Sequence, residues 1–494
     1  MSEKEQKNIY GSKSVFSNVI WRLLERFGAQ GVTFIVSIVL ARLLDPEVYG
    51  TVALVTAITT ILQVFVDSGF ASALMQKKNP DDLDYSSVFY FNVVFCFVLY
   101  WAMFFSAPLI ANFYERTELI NLIRVISLII PISALKNVQQ SYVSKNMLFK
   151  KFFWSTLGGT IGAGVIGITM AFFGFGVWAL VAQLLFNTFV DTLILWITVK
   201  WRPKLVFSFA RLKSLFKYGW KMFASHILDT TYNNLRSLII GKKYESEDLA
   251  FYNKGMSFPN LITTNVNTSI DSVLLPSMAS AQDNKKELKG MTRRSIKVAT
   301  FIIMPMMTGL AVCATPLIKI LLTEKWLPCV FFLRVFCITY AFYPINTANL
   351  NAIKALGRSD VFLKLEIIKK IVGIAAILST MWISVEALAL SLIATSLMSQ
   401  IINSWPNRRL LDYKYHEQLI DIMPTIALNV IMGTLVFSIT FLNLSDWITL
   451  LIQVPLGITI YFVGSIIFKN DSFSYIKNFL TKKNNTDLYL FKRY

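Results

Sequence analysis

A chain of 494 residues that is 55% hydrophobic and only 16% charged cannot cover itself as a soluble protein, which needs roughly a quarter charged residues. Its mean hydropathy of +0.54 and its apolar runs of about twenty residues, enough to cross ~30 Å of hydrocarbon, make it a polytopic membrane protein. The net charge of +19 is spread over the loops, which argues for membrane topology and against nucleic-acid binding.

The chain opens on a polar stretch, and the first apolar run is too long for a signal-peptide core, so no cleaved leader is expected. Apolar periodicity predicts an all-α protein of about fourteen transmembrane helices. They lie near 17–43, 48–75, 85–111, 118–143, 150–173, 176–199, 214–241, 247–281, 289–322, 330–354, 360–382, 386–407, 418–443 and 446–468.

The loops alternate in charge. One side carries Lys77 and Lys78, Lys145 to Lys151, Lys285 to Arg294, Lys354 with Arg358, Arg408 with Arg409, and both termini. The other side offers Asp45 and Glu47, Arg116, Lys242 and Lys243 offset by Glu245, Glu247 and Asp248, and Glu324 beside Lys325. Basic loops stay in the cytoplasm, so both termini are expected there. No outer loop is long enough to form a catalytic domain, so no enzyme is expected.

Midway, residues 200–217 gather Lys200, Arg202, Lys204, Arg211, Lys213 and Lys217 around Pro203, which stops a helix. Alternating apolar and basic residues suit a strap on a membrane surface. It divides a six-helix lobe at 1–199 from a second at 214–411, followed by two extra helices at 412–470 and a basic tail at 471–494. An internal repeat supports this division. Phe175-Gly-Val-Trp-Ala-Leu-Val181 answers Ile383-Ser-Val-Glu-Ala-Leu-Ala389, and Pro131 to Lys145 answers Pro344 to Arg358. Six spans per lobe make the repeat parallel.

Ionisable side chains are costly in hydrocarbon and usually face a bundle interior or a water-filled cavity. Span one carries Arg22, Glu25 and Arg26 on one face, and Asp67 of span two lies at a comparable depth. An Arg26–Asp67 pair is therefore expected, either in a cavity or as a lock between two helices. In span eight, Asn260, Thr264, Asn267 and Asp271 form one hydrophilic stripe, with Asn253 and Lys254 above it. Span seven adds Asp229, Asn233 and Arg236 at helical spacing. These spans occupy corresponding places in the two lobes, so their polar faces are expected to line a central cleft. Helix–helix hydrogen bonding is the plainer alternative.

The remaining polar features read more simply. Lys364, Glu366, Lys369 and Lys370 fit snorkelling lysines with a Glu366–Lys370 helix pair, and Asp191 stands as a solitary acid. Cys96, Cys313, Cys329 and Cys337 fall in or beside apolar runs with no paired spacing, which suggests buried thiols. His226 and His416 lack companions at metal-ligand spacing. Gly158-Gly-Thr-Ile-Gly-Ala-Gly164 fits close helix packing, since no Walker lysine follows it. No cofactor is expected, and proton, sodium and membrane potential all stay open as energy sources.

Ile38-Val-Leu-Ala-Arg-Leu-Leu-Asp-Pro-Glu-Val-Tyr-Gly50, Asp67-Ser-Gly-Phe-Ala-Ser-Ala-Leu-Met-Gln-Lys-Lys78, Leu275-Pro-Ser-Met-Ala-Ser-Ala-Gln-Asp-Asn284 and Thr323-Glu-Lys-Trp326 resemble signatures of bacterial polysaccharide exporters. These are the Wzx-type flippases, colanic-acid-exporter branch, of the superfamily that also holds the MATE drug exporters. The resemblance implies two six-helix lobes in a V plus two C-terminal helices. It implies a lipid-linked oligosaccharide substrate, a glycan repeat unit on undecaprenyl pyrophosphate, moved to the outer leaflet by alternating access. Polymerases and glycosyltransferases would be the partners. Arg22, Arg26, Arg236 and Lys254 become candidates for the pyrophosphate, because guanidinium groups make paired, charge-assisted hydrogen bonds. Asn233, Asn260, Asn267 and Asp271 become candidates for sugar hydroxyls. A cation-coupled MATE-like antiporter is the alternative kept alive by Asp67, Asp191, Asp229 and Asp271. A membrane glycosyltransferase or polymerase is more distant.

Overall fold

The computed structural model describes residues 12–67 and 69–481, and every regular element among them is helical. Ser12–Leu43 (α1) leads to Pro46–Asp67 (α2), which breaks and resumes as Phe70–Gln76 (α3). Asp82–Tyr114 (α4) is followed by the split pair Leu119–Ile126 (α5) and Ile129–Lys145 (α6), then Phe149–Phe172 (α7) and Val177–Thr198 (α8). Phe209–Lys243 (α9) and Ser246–Ser280 (α10) are the longest helices, at 35 residues each. Lys285–Val312 (α11), Ala314–Leu322 (α12), Cys329–Ala341 (α13), Tyr343–Ala355 (α14), Ser359–Thr380 (α15), Val385–Ser404 (α16) and Asn407–Leu410 (α17) come next. Tyr415–Ser438 (α18), Asp446–Ile467 (α19) and the amphipathic Asp471–Thr481 (α20) close the chain.

Helices stand at each expected span, yet 11 among the described residues are long and apolar enough to cross a membrane by length and composition. The exceptions are α9, α10 and α15, the segments that carry the polar stripes and the lysine cluster. The count of about fourteen therefore meets a physical obstacle where it was also most suggestive: side chains that could line a cavity lower the hydropathy of the helix that bears them.

The chain forms two compact units, Met1–Ala250 and Phe251–Tyr494. In the first, the glycine-rich face of α7 zips against its neighbours. A Cβ at Gly159 would lie 2.9 Å from Asn187 Oδ1 on α8, and one at Gly164 would lie 2.5 Å from Val36 Cγ2 on α1. Close packing, not phosphate binding, accounts for this stretch.

Residues 199–208 are pinned to the start of α4. The Lys204 amide donates to Ser86 Oγ (3.0 Å) and the Ser208 amide to Ser87 Oγ (2.9 Å). Trp201 Nε1 donates to Asp82 Oδ1 (3.2 Å), and Lys204 pairs with Asp82 at 2.6 Å. Asp81 caps α4 by accepting from the Asp84 amide (2.9 Å), and that bond holds the Asp81 carboxyl below its ordinary range.

The second unit is knit by buried amides. Gln418 and Asn349 exchange hydrogen bonds (2.8 and 3.1 Å), and Asn407 adds one to Asn349 Oδ1 (2.7 Å). The last two spans dock here. Tyr461 donates to the Phe301 carbonyl at 2.8 Å, and buried Asp421 accepts from Tyr413 (2.7 Å) while pairing with Arg293 (2.5 Å). Where both partners are buried, as for Asn349, Asn407 and Gln418, their order is a condition of the fold. All four cysteines are buried and free.

Candidate functional site

The site candidates divide by whether they face outward or into their own unit. On α1, Glu25 is half-buried and accepts from Thr156 Oγ1 of α7 at 3.4 Å, and Arg26 is half-buried beside it. The Arg22 side chain lies outside the described residues. Asp67 ends α2 and is exposed, and its donor is Asn137 Nδ2 of α6 at 2.8 Å. That bond takes the place of the expected Arg26–Asp67 pair. Asn137 is held in turn by Asn92 of α4 (3.5 Å), which also donates to the Val66 carbonyl (3.2 Å).

On α9, Asp229 and Asn233 are exposed while Arg236 is buried, so the stripe straddles the edge of the exposed face. The α10 stripe splits in the same way. Asn260 and Thr264 are exposed and joined by a 3.1 Å hydrogen bond. Asn267 is buried with both side-chain polar atoms unpartnered, and half-buried Asp271 accepts from Asn351 Nδ2 of α14 at 2.6 Å. Lys254 turns inward, with its ammonium 5.5 Å from the centroid of the buried Trp326 ring. The candidates thus supply exposed acids and amides: Asp67, Asp229 and Asn233 in the first unit and Asn260 in the second. Arg236 and Lys254 are buried.

Sequence reasoning missed Asn137 and Asn351. Each donates to an acid that ends or follows a polar stretch, and each comes from the second piece of the fourth span in its half of the internal repeat. The signal was available, because an amide inside an apolar span must find a partner. Asp191 is also not solitary: Lys136 of α6 pairs with it at 2.6 Å. On α15, Lys369 pairs with Glu366 at 2.6 Å, one residue short of the expected Lys370.

A second constellation lies at the opposite end of the spans from the strap. The amino ends of α2 and α10 touch backbone to backbone, and a Cβ at Gly50 would run into the Ser246 carbonyl. Thr51 Oγ1 and Ser246 Oγ share a buried hydrogen bond of 3.2 Å. Arg116 donates to Ser246 Oγ and to the Tyr244 carbonyl, the latter at 3.2 Å. Lys242 donates to Glu115 at 2.7 Å and lies over the Phe113 ring. That hydrogen bond holds the exposed Glu115 carboxyl below its usual range. Together these residues clamp the ends of α2, α9 and α10 to the turn between α4 and α5.

Comparison with known proteins bears on what this arrangement belongs to. The family described as "Polysaccharide biosynthesis protein" matches residues 39–331, more than half the chain. The chain is 28% identical over 316 residues to the succinoglycan biosynthesis transport protein ExoT of Rhizobium meliloti, a match covering 64% of each chain. It therefore spans somewhat less than two thirds of that relative's length. It is 22% identical over 374 residues to the lipopolysaccharide biosynthesis protein WzxC of Escherichia coli, covering 75% of each. Among solved structures, the lipid II flippase MurJ in an inward closed conformation superposes with a TM-score of 0.76 at 17% identity, covering 92% of this chain and 99% of that one. An inward-facing MATE multidrug transporter gives 0.62 at 14% identity, covering 80% and 98%. The fold is thus the one that MurJ and the MATE transporters share, and the chain belongs to the polysaccharide biosynthesis protein family.

Proposed function

We propose that this protein is a flippase for lipid-linked oligosaccharide. It would move a glycan repeat unit on undecaprenyl pyrophosphate from the inner to the outer leaflet of the bacterial cytoplasmic membrane by alternating access, and would act in surface polysaccharide assembly. The observation that carries the reading is likeness in fold over 92% of the chain to a lipid II flippase, joined to membership in a polysaccharide biosynthesis family. The chemistry fits. Exposed Asp229, Asn233 and Asn260 offer acceptors and amide donors of the kind that sugar hydroxyls exchange with water. Arg26, half-buried in a helix of a membrane protein, is a cation that can pair bidentately with a phosphate.

In this reading the basic loops and both termini are cytoplasmic, the Arg116 clamp faces outward, and glycosyltransferases and a polymerase act before and after it. Transport needs no bond to break, so the protein's task is to hydrate the glycan while its polyprenyl tail stays in lipid. Reconstituted with a polyprenyl-pyrophosphate oligosaccharide, Arg26→Ala is expected to slow flipping by about tenfold or more, the order of loss for a charge-assisted contact of about 1.5–3 kcal/mol. Asp271→Ala is expected to have a comparable effect, because it leaves Asn351 without its acceptor. Wild-type rates in both well-folded variants would remove these residues from the site.

A further inference from the structure

The strap and the first turns of α9 present a largely uncovered face, which meets the core where the Phe216 ring lies 5.9 Å from that of buried Phe70. Leu212, Leu215 and Gly219 point inward at helical spacing, and Gly219 packs against Gly69. Outward lie Phe209, Phe216 and Trp220, which are 68%, 48% and 46% exposed, with Lys213, Lys217 and Lys221 interleaved at four-residue spacing. Four-residue spacing stacks these lysines on one side of the helix. The acids nearby are already engaged. Asp81 meets Arg211 at 3.4 Å, Asp82 meets Lys204 at 2.6 Å and Asp84 meets Lys77 at 2.5 Å. Lys213, Lys217 and Lys221 form no ion pair among the described residues. Ahead of them, Leu205 is 94% exposed and Phe207 is 54% exposed.

An apolar and basic face of this kind is unfavourable against water, because it exposes large aromatic surface. It is equally unfavourable deep in hydrocarbon, where each lysine would be desolvated. It suits the layer between, where aromatic rings sit at headgroup depth and ammonium groups meet phosphates. We propose that this face is a docking surface for the anionic phospholipid headgroups of the cytoplasmic leaflet, which it enriches around the junction between the two halves of the sequence. The three lysines supply the charge, Phe209, Phe216 and Trp220 fix the depth, and the serine and aspartate contacts at the start of α4 hold the surface in register. This inference rests on the cytoplasmic placement of the basic loops proposed above and stands whether or not the protein flips a glycan.

Exposed Ser214 lies between these lysines, and the native cysteines are buried, so Ser214→Cys can carry a fluorophore at this face. The labelled full-length protein would be placed in vesicles containing brominated anionic or brominated zwitterionic phospholipid at equal mole fraction. Quenching by the anionic lipid is expected to be about threefold stronger at low salt, and the difference should close near 0.5 M salt as the charges are screened. Replacing Lys213, Lys217 and Lys221 with glutamine should abolish the preference, at about fivefold in headgroup affinity per lysine. Equal quenching by both lipids in the wild type would overturn the proposal, and that arm requires no variant lysines to fold. A preference that emerges only when polyprenyl pyrophosphate is added would also overturn it, by making the face a landing site for the transported lipid.

Discussion

Oxidation of a Thr51→Cys/Ser246→Cys variant is expected to arrest transport, and reduction to restore it. The two hydroxyl oxygens are 3.2 Å apart in a buried contact, and the adjoining Gly50 and Ser246 backbones touch. Sulfur atoms in their place therefore start close to the geometry a disulfide requires. In the flippase reading proposed above, outward delivery parts the ends of α2 and α10, so a covalent tie there should lower flipping by about a hundredfold, the order of loss when a required conformational step is blocked. Arg116→Ala should act in the opposite sense by removing the donor to Ser246 Oγ and the Tyr244 carbonyl. Its outer ends should open more readily, as read by labelling of a cysteine at position 246 with an impermeant reagent. The Lys242–Glu115 bond adds a pH dependence. The Glu115 carboxyl is held below its ordinary range, so its contribution to the clamp is present at neutral pH and is lost as pH falls through that lowered value. An oxidised variant that flips at the wild-type rate would show that these ends need not part.

Gly69→Val should be strongly destabilising although the residue bears no charge. Gly69 has φ of 71°, a region in which a β-branched residue is strained, and its Cβ would strike the Gly219 carbonyl on α9. Backbone cannot yield as a side-chain tip can, so strain and overpacking together cost about 4 kcal/mol. That is a large part of a typical total stability of about 5–15 kcal/mol. Gly219→Ala meets the Gly69 carbonyl oxygen at 2.9 Å and has no positive φ, so it should cost less, about 1–2 kcal/mol. Thermal unfolding in detergent should rank wild type, Gly219→Ala and Gly69→Val in that order. A Gly69→Val protein as stable as wild type would mean that the break between α2 and α3 is not fixed by this glycine contact.

Much of this architecture was legible because membrane constraints act locally. Apolar runs, proline and charged loops were enough to place helix at each expected span, but not the breaks inside four of them or α20 in the expected tail, and Gly158 to Gly164 announced its close contacts through residue size alone. The site was less legible for a physical reason. Helical spacing put Asn260, Thr264, Asn267 and Asp271 on one stripe, but the boundary between exposed and buried surface runs through that stripe. Periodicity gives a direction around a helix and leaves the neighbour on that side unknown. Asp67 and Asp271 therefore found Asn137 and Asn351, partners about seventy and eighty residues away in sequence, and Asp191 found Lys136. Arg236 and Lys254 are buried, which no spacing rule reveals.

The most direct test of the central reading is leaflet exposure in proteoliposomes that hold the wild-type protein and a polyprenyl-pyrophosphate oligosaccharide, scored by an added glycan-modifying enzyme that cannot cross the bilayer. Protein-dependent modification beyond the fraction exposed in protein-free vesicles is the predicted result. Modification no greater than in protein-free vesicles across several glycans, together with cation-driven efflux of small organic molecules by the same preparation, would contradict it and identify a drug antiporter instead.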